Sequence, residues 1–331
     1  MGLALLAAAP AGAEEFDFAG PAPTRNFQPI QLIFLALPFE SAVTLEHGGL
    51  ELLLESAESS VIATTSGAIE STLKFETNRT VFGFRYGLFD RWEVGMELPF
   101  ISRYGGFLDP IIDGVEDLFG AVNPERKLFS QNVFGGFSVV RGDTTLFQGE
   151  AITFQPGDLS FLLKYAVPVP RAWPRVALRA AIKAPTGDLD EVTGSGEPDF
   201  GIGIAADYQV FDRLMLYGNL NLVYPVGPIT AGDLTLNPIF TESFAAHLAV
   251  TQRWSVMLHQ AVYTSPFHGT HTRLLDGEVV ELGFGLNFVY SPKFAAQLLG
   301  IQNFSGVEQS ADFTVLLSMQ IRPWGQPTRL P

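Results

Sequence analysis

The chain has 331 residues and a formal net charge of −15, with 47% hydrophobic residues, 17% charged residues and no cysteine. That acidic balance excludes a nucleic-acid binder or a polybasic membrane-surface protein, both of which need cations, and the missing thiols exclude a disulfide framework or thiolate site. No apolar run reaches the roughly 18 residues of a spanning helix, so a chain this apolar must bury a large soluble β core or close a barrel in lipid.

At the amino end, residues 3–9 form a short apolar core. Pro10 and the triplet Ala11-Gly12-Ala13 then precede Glu14-Glu15. This is an A-x-A cleavage site, which predicts a signal peptide over 1–13. Its start looks cut short, because no Lys or Arg precedes the apolar stretch. Residues 14–48 follow as an N-terminal segment of the periplasm or lumen. Its apolar run 30–37, flanked by prolines, is expected to enter a barrel from below or add to its rim; a plain buried strand is the alternative.

From residue 49 the hydrophobicity has a period of two, the mark of strands with unlike faces. Phe82, Phe84, Tyr86 and Leu88 oppose Gly83, Arg85 and Gly87; Trp92, Val94, Met96, Leu98 and Phe100 oppose Glu93, Gly95 and Glu97. The pattern returns at Phe200, Ile202 and Ile204 against Gly201, Gly203 and Asp207, at 280–290, and at 313–322. Strands are expected near 49–59, 68–88, 91–102, 157–167, 174–184, 198–209, 213–224, 240–251, 254–264, 277–289, 293–303 and 311–322. In the second, apolar parity is odd at Ile69, Leu73 and Phe75 but even from Phe82, which predicts a bulge near Asn78-Arg79. A further hairpin over 132–151 would raise about twelve strands to about fourteen.

Strands of about 9–13 residues suit a tilted crossing of a bilayer. Short turns at 89–91, 211–213, 251–253 and 291–293 alternate with long connections at 103–131, 185–197, 225–239 and 265–276. These are the periplasmic and extracellular ends expected of an outer-membrane barrel. Phe89, Trp92, Trp173, Phe211, Trp254 and Phe294 collect at the short-turn rim as an aromatic girdle, beside Arg91, Arg171, Arg175, Arg213, Arg253 and Lys293. The fold expected is all-β, an antiparallel transmembrane β-barrel of 12–14 strands over 49–324, with one short helix in a long loop and a tail at 325–331.

The helix belongs to the loop 103–131. Phe107, Leu108, Ile111, Ile112, Val115, Leu118 and Phe119 recur at helical spacing opposite Asp109, Asp113, Glu116 and Asp117. It is expected to plug the lumen, lie on the rim as a lid, or merely cover loop backbone at the mouth. If it plugs, deleting 106–120 raises conductance. Lumen-facing positions carry Glu51, Glu55, Glu93, Glu97 and Glu281 against Arg85, Lys164, Arg179 and Lys183. They form either a selectivity girdle or an internally paired, stiffened lumen.

A barrel enzyme acting on lipids needs Ser and His on one face near the rim. The residues two after His247, His259, His268 and His271 are Ala249, Ala261, Thr270 and Arg273, so no His-x-Ser exists and no catalytic residue is assigned. Asp188, Asp190, Glu191, Glu197 and Asp199 gather in one Gly-rich loop, where hard cations would prefer their oxygens. His268 and His271 are a second weak metal candidate. In both cases a solvated polar loop is the simpler reading, and no cofactor is expected.

Several segments resemble a known family. They are Arg25-Asn26 with Pro29; Phe84-Arg85-Tyr86-Gly87-Leu88 followed by Asp90-Arg91-Trp92-Glu93-Val94-Gly95; Gly105-Gly106-Phe107-Leu108-Asp109; Asp117-Leu118-Phe119-Gly120; and Ala184-Pro185-Thr186-Gly187-Asp188 with Gly194-Ser195-Gly196 and Asp199. Together they resemble an uncharacterised proteobacterial family, domain of unknown function 3187. The resemblance implies an outer-membrane barrel of unassigned role and brings no catalytic residues. The expected function is a passive channel or transporter for small molecules. A non-conducting structural barrel whose loops bind ions, lipopolysaccharide or protein is the alternative, and a lipid-modifying enzyme is third. Expected partners are outer-membrane lipids, lipopolysaccharide and the barrel-assembly machinery, with no nucleic acid.

Overall fold

The alternating segments become strands: β1 Leu50–Thr65, β2 Glu70–Phe89, β3 Trp92–Tyr104, β4 Gly136–Arg141, β5 Thr144–Gln148, β6 Ile152–Pro156, β7 Leu159–Val167, β8 Arg175–Ala184, β9 Asp199–Phe211, β10 Leu214–Pro225, β11 Ile239–Ala249, β12 Trp254–Thr264, β13 Glu278–Ser291, β14 Phe294–Ser305 and β15 Phe313–Trp324. The computed structural model describes residues 16, 18–119, 124–170, 172–229, 234–305 and 307–325, without the side chains of 115–119, 124, 125 and 307. The expected signal peptide, Arg171 and most of the tail lie outside the described residues, as do the side chains of Val115, Leu118 and Phe119.

Twelve strands, all except β4, β5 and β6, pair antiparallel in chain order. The sheet closes where β15 meets β1, from Leu50 opposite Trp324 to Ser60 opposite Phe313. Closure leaves no strand edge whose backbone groups would face acyl chains unpaired. One face presents Leu52, Phe82, Phe161, Ile202, Leu220, Phe244, Leu258, Phe284, Leu298 and Leu317 to the outside. The other buries Glu55, Arg85, Glu93, Lys164, Arg179, Asn219, His247, Asn287 and Ser318. A continuous exposed apolar belt on a closed barrel is what lipid, not water, solvates.

The wall is uneven in height. β1 has 16 residues and β2 has 20, against 9 in β7. The hairpin expected over 132–151 forms as β4–β5, but it pairs only with the upper end of β2, from Glu70 opposite Val140 to Lys74 opposite Gly136. β6 likewise borders only the upper end of β3. These strands raise the wall at one side and do not cross the membrane, so the barrel count is twelve and not fourteen.

The bulge expected near Asn78-Arg79 is absent, since β1 and β2 keep one register from Leu50 opposite Tyr86 to Thr65 opposite Ser71. The parity of the apolar residues changes for another reason. Leu73 and Phe75 point into the lumen, where the upper half of the interior is apolar and packs Phe137, Phe147, Ile33 and Phe34 around them. The strand is regular; its surroundings change.

The helix α1 (Asp109–Phe119) forms where expected, with Pro110 in the first turn, where a missing N–H costs nothing. It does not plug the lumen. Its start is tied to Lys74 and Glu76, which share the outward parity of Phe82: Lys74 Nζ lies 2.5 Å from Asp109 Oδ2, and the Glu76 carboxylate accepts the N–H groups of Phe107 (2.9 Å) and Leu108 (2.6 Å). Arg126 joins Asp109 to Asp312 at 3.1 and 3.0 Å. Leu108 and Ile112 are buried against the wall, whereas Phe107 and Ile111 are exposed.

Candidate functional site

The lumen is filled by the N-terminal segment 18–45, and its path can be followed residue by residue. Near the short-turn end, Gly20 O accepts from Gln297 Nε2 at 2.8 Å. Ala22 and Phe27 pack with Met257, Leu299 and Leu316. At the opposite mouth Asn26 Nδ2 donates to Gln309 O (3.1 Å), and a short 3-10 turn, Gln31–Ile33, reverses the chain. The segment then descends the other wall. Lys183 Nζ donates to Ile33 O (2.6 Å), Leu35 N to Asp199 Oδ2 (2.8 Å), Arg179 Nη1 to Pro38 O (2.6 Å), Ala42 N to Asp207 Oδ1 (3.0 Å) and Leu45 N to Glu93 Oε2 (2.8 Å). It leaves at the short-turn rim, where Gly48 N donates to Gly87 O at 2.8 Å, and β1 begins.

Sequence and environment fit at each level. Pro21, Pro23, Pro29 and Pro38 prevent the segment from joining the sheet, since a proline cannot donate to a ladder. Its extended backbone therefore takes its hydrogen bonds from lumen side chains, which is why inward positions are polar. Its tip is apolar: Ile30, Ile33, Phe34, Leu35 and Leu37 are buried with Phe75, Phe137, Phe267 and Leu274. Arg25 braces the reversal, donating from Nη2 to Gln31 O (3.1 Å) and Phe34 O (2.9 Å). Burial and the nearby Arg79 push its pKa down to about 9, so it stays charged at neutral pH.

The inward charges expected from alternation are all on the lumen side or its rim, and all but Glu281 face a charge of opposite sign. Arg85 meets Glu97 at 2.5 Å, Lys164 meets Glu93 at 2.9 Å, Glu55 lies 3.7 Å from Arg79, and Glu51 meets Arg322 at 2.7 Å. Lys183 is held by Asp158 (2.8 Å) and Asp199 (3.0 Å), and Glu281 accepts from Ser310 Oγ at 2.5 Å. Arg179 also donates to Asn221 Oδ1. Glu40 of the N-terminal segment sits between Lys164 and Arg179, 3.1 Å from each. Burial pushes the Glu40 carboxyl up, but the two cations outweigh it and hold the group down at about 2.

A family model described as protein of unknown function (DUF3187) matches residues 3–322. The chain belongs to this family. No curated protein is a significant match. Among solved structures, the COG4313 outer membrane channel from Pseudomonas putida F1 is similar with a TM-score of 0.56 and 12% identity, over 85% of this chain and 97% of that one. The NanC porin (TM-score 0.46, 8% identity, 82% of this chain and 98% of that one) and a FadL homologue from Pseudomonas aeruginosa (0.39, 10%, 92% and 99%) are also similar. At 12% identity the first likeness is one of fold, and that fold is the outer-membrane β-barrel.

In this DUF3187 barrel the aromatics expected to form a girdle lie at the short-turn rim. Phe89, Trp92, Trp173, Phe211 and Trp254 are exposed, and Phe294 is half-buried. Asp199, expected as a cation ligand, is instead committed to Lys183 and Leu35. Asp188 accepts from the Asp190 N–H, and Glu197, His268 and His271 are exposed on their loops. Among the described residues no three His, Asp or Glu side chains converge as metal ligands. His247 and His259 face the lumen, away from outer-leaflet lipid. Below the segment a cavity of about 710 Å³ remains at the short-turn end, lined by Phe18, Glu40, Lys164, Trp173, Arg175 and Asp207 among others.

Sequence reasoning missed Glu40, Arg25, Asp158 and Arg79 as members of the site. Arg79 was legible in principle, since it shares the odd, inward parity of Arg85. Glu40 and Arg25 belong to a stretch without period, where no face can be read.

Proposed function

We propose that this protein is an outer-membrane channel or transporter for small molecules that rests closed, with residues 18–45 as its plug. The carrying observation is that the plug enters and leaves at one rim while its tip reaches the other mouth. A hairpin held in this way can withdraw without unthreading. Its links to the wall are hydrogen bonds, ion pairs and the apolar packing of its tip, and the short-turn end of the lumen keeps an open vestibule. The short turns and the aromatics beside them support a periplasmic orientation for that end, with the long loops outside.

Planar-bilayer recordings test the proposal. The full chain should show rare, brief openings, and a chain lacking 18–44 should show large, stable ones. A folded deletion variant that does not conduct would leave a structural barrel, the reading favoured by the opposite-charge pairing of every expected lumen charge except Glu281.

A further inference from the structure

We infer that the lumen wall carries a binding site for a soft monovalent metal ion of the Cu(I) class, built by His247, His259, Met215 and Met257. Register brings them together: Met215 on β10 is directly opposite His247 on β11, and His247 is directly opposite Met257 on β12. His259 lies two residues beyond Met257, hence on the same face. All four side chains are buried on the lumen side. The chain has 5 Met and 5 His, and two of each meet on three neighbouring strands.

The imidazoles are already placed for a shared ion. His247 Nε2 and His259 Nε2 are 3.3 Å apart. Two nitrogens bound at about 2.0–2.1 Å to one tetrahedral ion stand about 3.3–3.4 Å apart. In the metal-free pair a single proton lies between the two Nε2 atoms. A bound ion takes its place, and each neutral imidazole then carries its proton on Nδ1. The two sulfurs make only weak contacts, Met215 Sδ with Arg175 Nη2 at 3.5 Å and Met257 Sδ with Gln297 Nε2 at 3.8 Å. Directly opposed residues have Cβ atoms about 4.5–5.5 Å apart. The three rotatable bonds of Met then let each sulfur swing to the histidines.

Two imidazoles and two thioethers, with no carboxylate, form a soft set that prefers Cu(I) to Ca²⁺, Mg²⁺ or Mn²⁺. The way in is from the vestibule, whose lining includes Met215, Tyr217 and Phe39. The plug's Phe39 ring covers His259 at 5.4 Å and Tyr217 covers His247 at 4.9 Å. The site does not depend on whether the barrel conducts.

Calorimetric titration of the full chain in detergent with Ag(I), and with Cu(I) under reductant, tests the inference. One ion per chain should bind. Met215→Leu or Met257→Leu should weaken binding about tenfold or more, and His247→Gln with His259→Gln should abolish it. A control carrying His47→Gln, His268→Gln and His271→Gln should bind as the parent does. Should the lumen His variants fail to fold, as judged by heat-modifiability, the Met variants and X-ray absorption of the Cu(I)-loaded parent decide through the presence of sulfur neighbours. Absence of binding, a metal shell without sulfur, affinity untouched by both Met→Leu changes, or loss of binding in the loop-histidine control would overturn it.

Discussion

Leu37 of the plug lies so close to Gly201 of β9 that a β-carbon on residue 201 would stand 2.4 Å from Leu37 Cδ1. Two residues on, a β-carbon at Gly203 would meet Asn221 Oδ1 at 2.3 Å and Leu37 Cδ2 at 3.2 Å. The inward glycines of β9 are the space that the descending arm of the plug occupies.

Gly201→Val should therefore push Leu37 off the wall. Overpacking of this kind costs about 1–3 kcal/mol, and here it falls on plug docking, because the outward belt and the ladder of β9 are untouched. Single-channel recording should show more frequent openings, with unchanged heat-modifiability on a gel. Unchanged opening frequency would mean that the plug does not gate.

Acid should loosen the plug through Glu40. Its carboxyl is held at about 2 in the folded protein, below the 4.5 of a free glutamate. A depressed carboxylate contributes its full stabilisation above the higher value and loses it as pH falls toward the lower one. Opening should rise as pH drops from about 4.5 to about 2. Glu40→Gln removes one partner of a buried cluster, a loss of about 3–5 kcal/mol, so this variant should open readily at pH 7 and respond less to acid. The pH profile of open probability for both chains checks the sign.

Deleting 106–120 should leave conductance through the lumen unchanged, because α1 is moored to outward-facing Lys74 and Glu76. What it should lose is order in the tall wall, since Lys74 and Arg126 then lack their shared partner Asp109. Increased protease cleavage between β3 and β7 would show this. A rise in conductance would place the helix in the pore.

Trimming the apolar tip should matter as much as trimming the charges. Phe34 packs edge-on to Phe267 at 5.6 Å between centroids, inside the cluster of Leu73 and Phe75. Phe34→Ala should cost about 3–5 kcal/mol, read as faster hydrogen exchange over 26–37 than over the barrel strands.

The barrel was legible because a two-sided wall writes its two environments into one period: Phe200, Ile202 and Ile204 outward, Gly201 and Gly203 inward. The plug was legible only as an apolar run that would enter the lumen or add to the rim, because an element surrounded by wall has no polar side to fix its place. Leu35 and Leu37 are as buried as Phe34 and Ile33, so its apolar run carries no orientation. The misread bulge in β2 has the same origin, with Leu73 and Phe75 apolar because the plug's tip faces them. Ion pairs such as Glu93 with Lys164 depend on the register of β3 against β7, two strands separated by more than fifty residues of loop and short strands. Each partner's inward parity was readable, but their meeting was not.

Because the chain has no cysteine, an introduced pair reports on the plug without background. A chain carrying Leu37→Cys and Gly201→Cys should cross-link nearly completely on mild oxidation, stay closed in planar bilayers, and open after addition of a reductant. A pair that does not cross-link in the folded barrel, or conductance indifferent to oxidation, would contradict a lumen closed by its own N-terminal segment.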